Sequence, residues 1–594
     1  MIISGNRTKL LSLLLVALLT APPLANAELV EPVLMPGWPF SVTFSDYVDR
    51  WFLFCNSGCN FLNVDLEEGQ FELAFGLLDS NIYLLDKEAV HHHGWPVKDF
   101  GLPMCDIAVG DVDGDGSQEL VGVYLEYDLD PRFRMHVFRQ DGTDLPGFPR
   151  EFEIDHTSAA PFSITLVDLN GDDKLEIIYC RVAYDSTIYV LDHRGENFPG
   201  WPQVTHGDRM SGIPASVGDI DNDGEPEIVA TGYFSIWAWR ADGSLFPGWP
   251  VFYDSTYFNI RQSAAALADL DGDQDLEIII SSSEGGGWGG QLSVYHHDGQ
   301  LFEGWPYYFS DGFFWATPAI ADIDNDGSLD IVGMTWSGED NFFVFEADGR
   351  VKEGWPITHG WTSYIGPALA DVDGDGFCDI IWGSSHNFAW QHPDSILGLY
   401  FAYDYRGELL SGWPVEVNGF AGQTATILDI DNDGNLNMVL VGDYMSTVRD
   451  LQIAYVYLYD LGVPATEGSV QWGKFGHDQY NTNNYHFKVP PLTGVSDFPS
   501  PVLPGEFSLC QNYPNPFNAS TVIKFKTQAK QAKVEIFDLA GRKVRSFNVK
   551  DLFGERRIIW DGTNEIGQKV SSGIYFYRLT TGDRSQTERM LLLR

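Results

Sequence analysis

The stretch Asp219-Ile220-Asp221-Asn222-Asp223-Gly224-Glu225-Pro226-Glu227 decides how the rest of the chain is read. It sets carboxylates at loop positions 1, 3, 5 and 9, with glycine at position 6, where a sharp turn folds them inward. A hard cation surrounded by oxygens needs this kind of set: three side chains, the backbone carbonyl of position 7 and a further carboxylate. Calcium suits the loop better than magnesium, because a mixed ligand set tolerates irregular geometry. No Cys or His interrupts it, which disfavours softer transition metals. A single loop of this type could equally be a solvated, Asx-rich turn.

The loop is not single. It begins again at Asp111, Asp168, Asp269, Asp322, Asp371 and Asp429, at intervals of 49 to 58 residues. The expected ligands are Asp111, Asp113, Asp115 and Glu119, then Asp168, Asn170, Asp172 and Glu176, then Asp219, Asp221, Asp223 and Glu227. They continue with Asp269, Asp271, Asp273 and Glu277, then Asp322, Asp324, Asp326 and Asp330. Asp371, Asp373, Asp375 and Asp379, and finally Asp429, Asp431, Asp433 and Asn437, complete the series. The copies differ in quality. Asp173 and Gln274 replace the position-6 glycine, Asn170 and Asn437 each remove a charge, and a degenerate copy around Asp65 is expected to have lost its metal.

A second marker, Gly-Trp-Pro or Gly-Phe-Pro, begins at Gly37, Gly94, Gly147, Gly200, Gly248, Gly304, Gly354 and Gly412. Between markers lies a constant plan. Residues 263–269 are small and apolar, the acidic loop follows, 277–281 are β-branched, 291–296 alternate, Asp298-Gly299 turns, and 301–307 close the unit. Four short strands in about 50 residues make one propeller blade. The chain is therefore expected to be all-β, with a propeller over 28–485; eight blades are favoured by the count and seven remain possible. An open solenoid is the competing arrangement. Closure is favoured because Trp472-Gly473 resembles a ninth marker meeting the first.

The form Ala321-Asp-Ile-Asp-Asn-Asp-Gly-Ser-Leu-Asp-Ile-Val332 and its repeats resemble the FG-GAP/VCBS repeats of integrin α-subunit propellers and many exported bacterial proteins. The resemblance implies several structural Ca2+ sites in blade loops. Integrin propellers have seven blades, which is why seven stays open here.

Outside the repeats, residues 1–27 read as a signal peptide: Arg7 and Lys9 precede an apolar run, and Ala25-Asn26-Ala27 supplies a cleavage site. No later stretch reads as transmembrane. Residues 486–506 hold five prolines and read as a linker. Residues 507–594 alternate in short strands and read as an immunoglobulin-like sandwich. Gln511-Asn-Tyr-Pro-Asn-Pro-Phe517, Asp561-Gly562 and Ser572-Gly-Ile-Tyr-Phe-Tyr577 resemble the C-terminal sorting domain of type IX secretion and the FlgD-type Ig domain. That resemblance implies contact with the secretion machinery and a secreted or cell-surface destination.

A net charge of −48 argues against nucleic acid as a partner. No Gly-x-Ser-x-Gly, His-Glu-x-x-His or phosphate-binding glycine loop appears. His91-His92-His93 reads as a solvated loop, and most Trp belong to the Gly-Trp-Pro markers, where packing between blades explains them. Cys55 and Cys59 could pair, Cys105, Cys180 and Cys378 read as buried, and Cys510 could go either way. The expected function is a noncatalytic surface or secreted binding and adhesion module with a protein or glycan ligand. The alternative is an extracellular carbohydrate-active enzyme of the calcium-dependent polysaccharide-lyase type, or a quinone-dependent dehydrogenase. The Thr-Gly-Lys-x-x-Trp core expected of the quinone enzymes does not occur in the chain.

Overall fold

The chain divides into two compact units, residues 1–494 and 495–594. In the first, a computed structural model describes residues 32–44, 60–62, 72–77, 79, 81–97, 102–103, 107–126, 132–152, 164–181, 187–205, 208, 214–252, 258–259, 263–284, 289–309, 316–335, 342–357, 366–385, 397–419, 421–446, 451–466, 468–474, 476–478 and 481–487. In the second it describes 507–509, 521–527, 531–538, 542–550, 555–560, 562–565, 568–581 and 584–592. The signal peptide, the degenerate loop at Asp65, Cys55, Cys59, Cys105, Cys510 and nearly all of the linker lie outside the described residues. Every described element is a strand.

Among the described residues of the first unit there are eight antiparallel sheets. The fifth shows the plan. Ala266–Ala268 pairs with Glu277–Glu284, which pairs with Gly290–Tyr295, which pairs with Tyr307–Phe309. The innermost strands are short and rich in alanine; Ala266, Ala268, Ala319, Ala321, Ala368 and Ala370 are all fully buried. Second strands such as Glu277-Ile-Ile-Ile280 are buried on both faces, because each sheet is sandwiched between two others. Shared apolar clusters join neighbouring sheets from the first to the eighth. One further cluster then joins the eighth to the first, through Val439 and Leu458 against Leu73 and Phe75.

The eighth sheet is completed from the other end of the chain. Phe40–Phe44 pairs with Leu451–Pro464, in register Phe40↔Val456. This explains why a Gly-Trp-Pro marker stands at Gly37 before any acidic loop.

The markers fasten each sheet to the next. Trp Nε1 donates to a carbonyl in the following hairpin turn: Trp38 to Lys87 (2.8 Å), Trp95 to Gln140 (2.8 Å), Trp201 to Ala241 (2.8 Å), Trp249 to His297 (2.7 Å), Trp305 to Ala347 (2.9 Å) and Trp355 to Tyr405 (3.0 Å). The tryptophans thus pack between blades, as their position in the repeat implied.

Trp472-Gly473 is not a ninth marker. Residues 469–487 instead thread along the innermost strands. Asn481 Nδ2 donates to Ile164 O of the third sheet (2.9 Å), and Val217 N of the fourth donates to Thr482 O (3.0 Å). Leu267 N of the fifth donates to Asn483 O (2.9 Å), and Asp322 N of the sixth to Gln471 Oε1 (2.9 Å). Leu369 of the seventh pairs with Trp472, and Ile427 N of the eighth donates to Gly473 O (2.9 Å). The segment is polar yet buried: Asn481, Thr482 and Asn483 have no exposed surface, so these bonds satisfy groups that water cannot reach.

The second unit is a two-sheet sandwich. Phe507–Leu509, Thr521–Thr527 and Glu555–Trp560 form one sheet; Lys543–Lys550, Gln531–Asp538, Gly573–Thr581 and Arg584–Leu592 form the other. Ile523, Phe525 and Trp560 from the first pack with Val534, Ile536, Tyr577 and Leu579 from the second.

Candidate metal centres

Each acidic loop connects the innermost strand of a sheet to its second strand, so all seven lie at the same end of their sheets. Local hydrogen bonds shape them. In the 219 loop, Asp219 Oδ1 accepts from Asp223 N and Oδ2 from Gly224 N, both at 2.9 Å. Asp223 Oδ1 accepts from Glu225 N at 2.9 Å. Glu227 Oε2 reaches back to Ile220 N at 3.0 Å.

That last bond recurs in all seven loops. The position-2 amide donates to position 9 at 2.9 Å from Val112 to Glu119, 2.9 Å from Leu169 to Glu176 and 2.8 Å from Leu270 to Glu277. The distances are 3.3 Å from Ile323 to Asp330, 2.9 Å from Val372 to Asp379 and 2.8 Å from Ile430 to Asn437. One oxygen of each position-9 side chain is thereby anchored; the six carboxylates keep a second oxygen, whereas Asn437 has only the amide Nδ2 left, which points to Met35 Sδ.

Burial sets the electrostatics. The position-9 side chains are at most 2% exposed. Loss of water pushes the carboxyls of Glu119, Glu227 and Glu277 up to about 8, those of Glu176 and Asp330 to about 7, and that of Asp379 to about 9. Nearby aspartates add to the shift in each case. Burial likewise raises Asp111, Asp219, Asp371 and Asp429 at position 1. The geometry thus gathers carboxyl groups where burial makes their ionised form costly, and a bound cation would be what keeps them ionised.

Several of these oxygens have no hydrogen-bond partner although buried: Asp113 Oδ1, Asp221 Oδ1, Glu227 Oε1, Asp429 Oδ1 and Asp431 Oδ1. Ligand atoms of Asp111, Asp113 and Asp115 lie within 4.8 Å of one another, as do those of Asp219, Asp221 and Glu227, of Asp269, Asp271 and Asp273, and of Asp322, Asp324 and Asp326. An all-oxygen set with unpartnered carboxylate oxygens fits a hard divalent cation such as calcium.

The loops are not equivalent, and some differences were not apparent from the motif. Asn170 Nδ2 donates to Glu176 Oε1 at 3.3 Å, so in the 168 loop position 3 already occupies position 9. Asp173 and Gln274 adopt the positive φ (62° and 83°) that glycine would favour at position 6. His296 Nδ1 lies 3.2 Å from Glu277 Oε1 and joins Asp271 in a mixed His–carboxylate group. Lys87 Nζ approaches Asp431 Oδ2 at 3.5 Å. In the 322 loop, Lys352 Nζ lies 2.9 Å from both Asp330 Oδ1 and Asp324 Oδ2. These basic groups come from the hairpins beyond the loops, which is why the nine-residue motif does not reveal them.

Neighbouring loops are tied together. Leu175 N donates to Val112 O (3.3 Å), Leu276 N to Ile220 O (3.0 Å) and Cys378 N to Ile323 O (3.1 Å). Cys180 and Cys378 are buried free thiols, as their strand positions implied.

Sheets of blade type carrying acidic loops at one end define a repeat protein of the propeller class. The FG-GAP-like repeat model matches residues 168–230, 269–333 and 322–382. The secretion system C-terminal sorting domain matches residues 511–592. The sorting domain marks the chain for type IX export, to the cell surface or beyond it. No curated protein matches the chain. Among solved structures, it is similar to the V. cholerae biofilm matrix protein Bap1, at 13% identity over 75% of this chain and 94% of that one, with a TM-score of 0.46. BamB from Moraxella catarrhalis aligns at 12% identity over 67% and 98%, with a TM-score of 0.38. The BP39L lectin from Burkholderia pseudomallei aligns at 11% identity over 59% and 95%, with a TM-score of 0.35. Among the described residues, no helix is long and apolar enough to cross a membrane.

Proposed function

We propose that the protein is an exported, calcium-binding, eight-bladed propeller that serves as a noncatalytic binding or adhesion module for a protein or glycan. In this reading residues 1–27 are the signal peptide, 28–485 the propeller, 486–506 the linker and 507–594 the sorting domain, of FlgD-like Ig type. Calcium in the acidic loops neutralises their buried carboxylates and stiffens the face from which a ligand is held. The ligands are the position 1, 3, 5 and 9 side chains, from Asp111 to Asn437, with the 322 loop set apart below.

The observation that carries the noncatalytic reading is the course of residues 469–487. They occupy the innermost strands of six sheets with backbone and amide hydrogen bonds. This polar segment covers inner-strand backbone that a substrate could otherwise reach, which supports a reading without a catalytic pocket there. The loop faces and outer rims remain for recognition. The test is a screen of purified 28–594 with calcium against glycan and polysaccharide panels and cell-surface proteins. Calcium-dependent retention of an intact ligand supports the proposal. Release of cleaved, unsaturated oligosaccharide would identify a lyase and overturn it.

A further inference from the structure

The 322 loop keeps all four expected acidic ligands, Asp322, Asp324, Asp326 and Asp330, around Gly327. Here one lysine bonds two of the loop carboxylates at once, whereas in the 429 loop Lys87 Nζ approaches Asp431 Oδ2 alone, at 3.5 Å. Lys352 Nζ lies 2.9 Å from Asp330 Oδ1, 3.1 Å from Asp330 Oδ2, 2.9 Å from Asp324 Oδ2 and 3.8 Å from Glu346 Oε1. Its side chain is only 7% exposed. The backbone there is fixed, since Lys352 N donates to Val344 O (2.8 Å) and Trp355 N donates to Lys352 O (3.1 Å).

Two comparisons within the chain give this contact its meaning. At the matching place, two residues before the marker glycine, the other units have Leu145, Phe198, Phe246, Phe302 and Leu410, the first has His92, and the marker that completes the eighth sheet has Met35. Only the sixth unit puts an ammonium there. At position 3, Asp113 Oδ1 and Asp221 Oδ1 are buried without a partner, whereas their counterpart Asp324 is bonded to the lysine.

We propose that the 322 loop takes no metal, because Lys352 serves as its permanent cation. A divalent ion would need the same Asp324 and Asp330 oxygens that the ammonium holds. Binding it would require expelling a buried positive charge or holding two cations side by side. One blade would then keep its loop shape at any calcium concentration, while its neighbours depend on the ion. This inference rests on the calcium reading of the other loops.

The test is calcium stoichiometry by equilibrium dialysis on full mature chain. Asp324→Asn should leave the number of bound ions unchanged, Lys352→Leu should raise it by one, and Asp221→Asn, in a loop without the lysine, should lower it by one. Loss of an ion in Asp324→Asn, or no gain in a folded Lys352→Leu, overturns the proposal. If Lys352→Leu does not fold, Asp324→Asn alone decides. Wild-type protein that binds no calcium would instead defeat the calcium reading, and one site appearing in Lys352→Leu would still uphold the role of the lysine.

Discussion

Replacing Gly200 by alanine isolates what one marker contributes to the joint between sheets. Gly200 has φ +88°, and a Cβ there would lie 1.9 Å from Asp242 O in the next hairpin turn. Gly468 is the control, with φ +91° and no atom within 4 Å of its Cβ. Both substitutions place alanine in the left-handed region, at about 1–2 kcal/mol. Gly200→Ala must also push a backbone carbonyl away, adding about 1–3 kcal/mol of overpacking, and it strains the Trp201–Ala241 bond nearby. With about 2.1 cal/mol/K per residue over roughly 450 residues, each kcal/mol is about 1 °C in melting temperature. Calorimetry should therefore show a drop of about 1–2 °C for Gly468→Ala and about 2–5 °C for Gly200→Ala. Equal drops would refute the argument that the marker glycine is required by contact with the neighbouring sheet.

Trp305→Phe keeps the ring in its cluster but loses the Nε1 bond to Ala347 O, so chemical denaturation should show a loss of about 0.5–1.5 kcal/mol; no loss would make the bond incidental. Asn481→Ala removes the bonds to Ile164 O and Lys474 Nζ at a fully buried site with φ 58°. It should destabilise by about 2 kcal/mol or more, since buried polar groups are left unsatisfied, and unchanged denaturant midpoints would argue that residues 469–487 do not hold the sheets together. Deleting residues 507–594 should leave a folded first unit confined to the periplasm, because the two units have separate cores. Normal appearance of the truncated chain outside the cell, followed by fractionation and immunoblotting, would remove the sorting role.

Much of this was legible because repetition converts weak local signals into strong ones. Asp219 to Glu227 alone is ambiguous, but seven such loops with eight Gly-Trp-Pro or Gly-Phe-Pro markers define sheet count and strand order. The fold agrees down to the alanines of the inner strands and the tryptophans between blades. What escaped depends on contacts distant in sequence. Trp472-Gly473 imitates a marker, yet lacks the following proline and hairpin, and its backbone pairs with Leu369 instead. Lys352 comes from the hairpin beyond its loop, two strands away from Asp324 in the chain. Its signal was nonetheless present: it is the one lysine in a column otherwise held by Leu, Phe, a single Met and a single His. The polar run Asn481-Thr482-Asn483-Asn484 carries no repeat signal, and composition cannot show that the inner strands of the third, fourth and fifth sheets would bury it.

The central claim is that calcium completes the acidic loops. Unpartnered buried oxygens such as Asp113 Oδ1 and Glu227 Oε1 leave each native loop with carboxyl groups that burial and their neighbours' charge make costly to ionise, a cost the unfolded chain escapes. A cation that binds only the native state adds about 2.7 kcal/mol per site at a hundred times its dissociation constant. The direct measurement is scanning calorimetry of residues 28–594 with millimolar calcium, with magnesium and with chelator. The account predicts a markedly higher melting temperature in calcium than in chelator, with magnesium a poor substitute. Identical melting temperatures in calcium and chelator would contradict it.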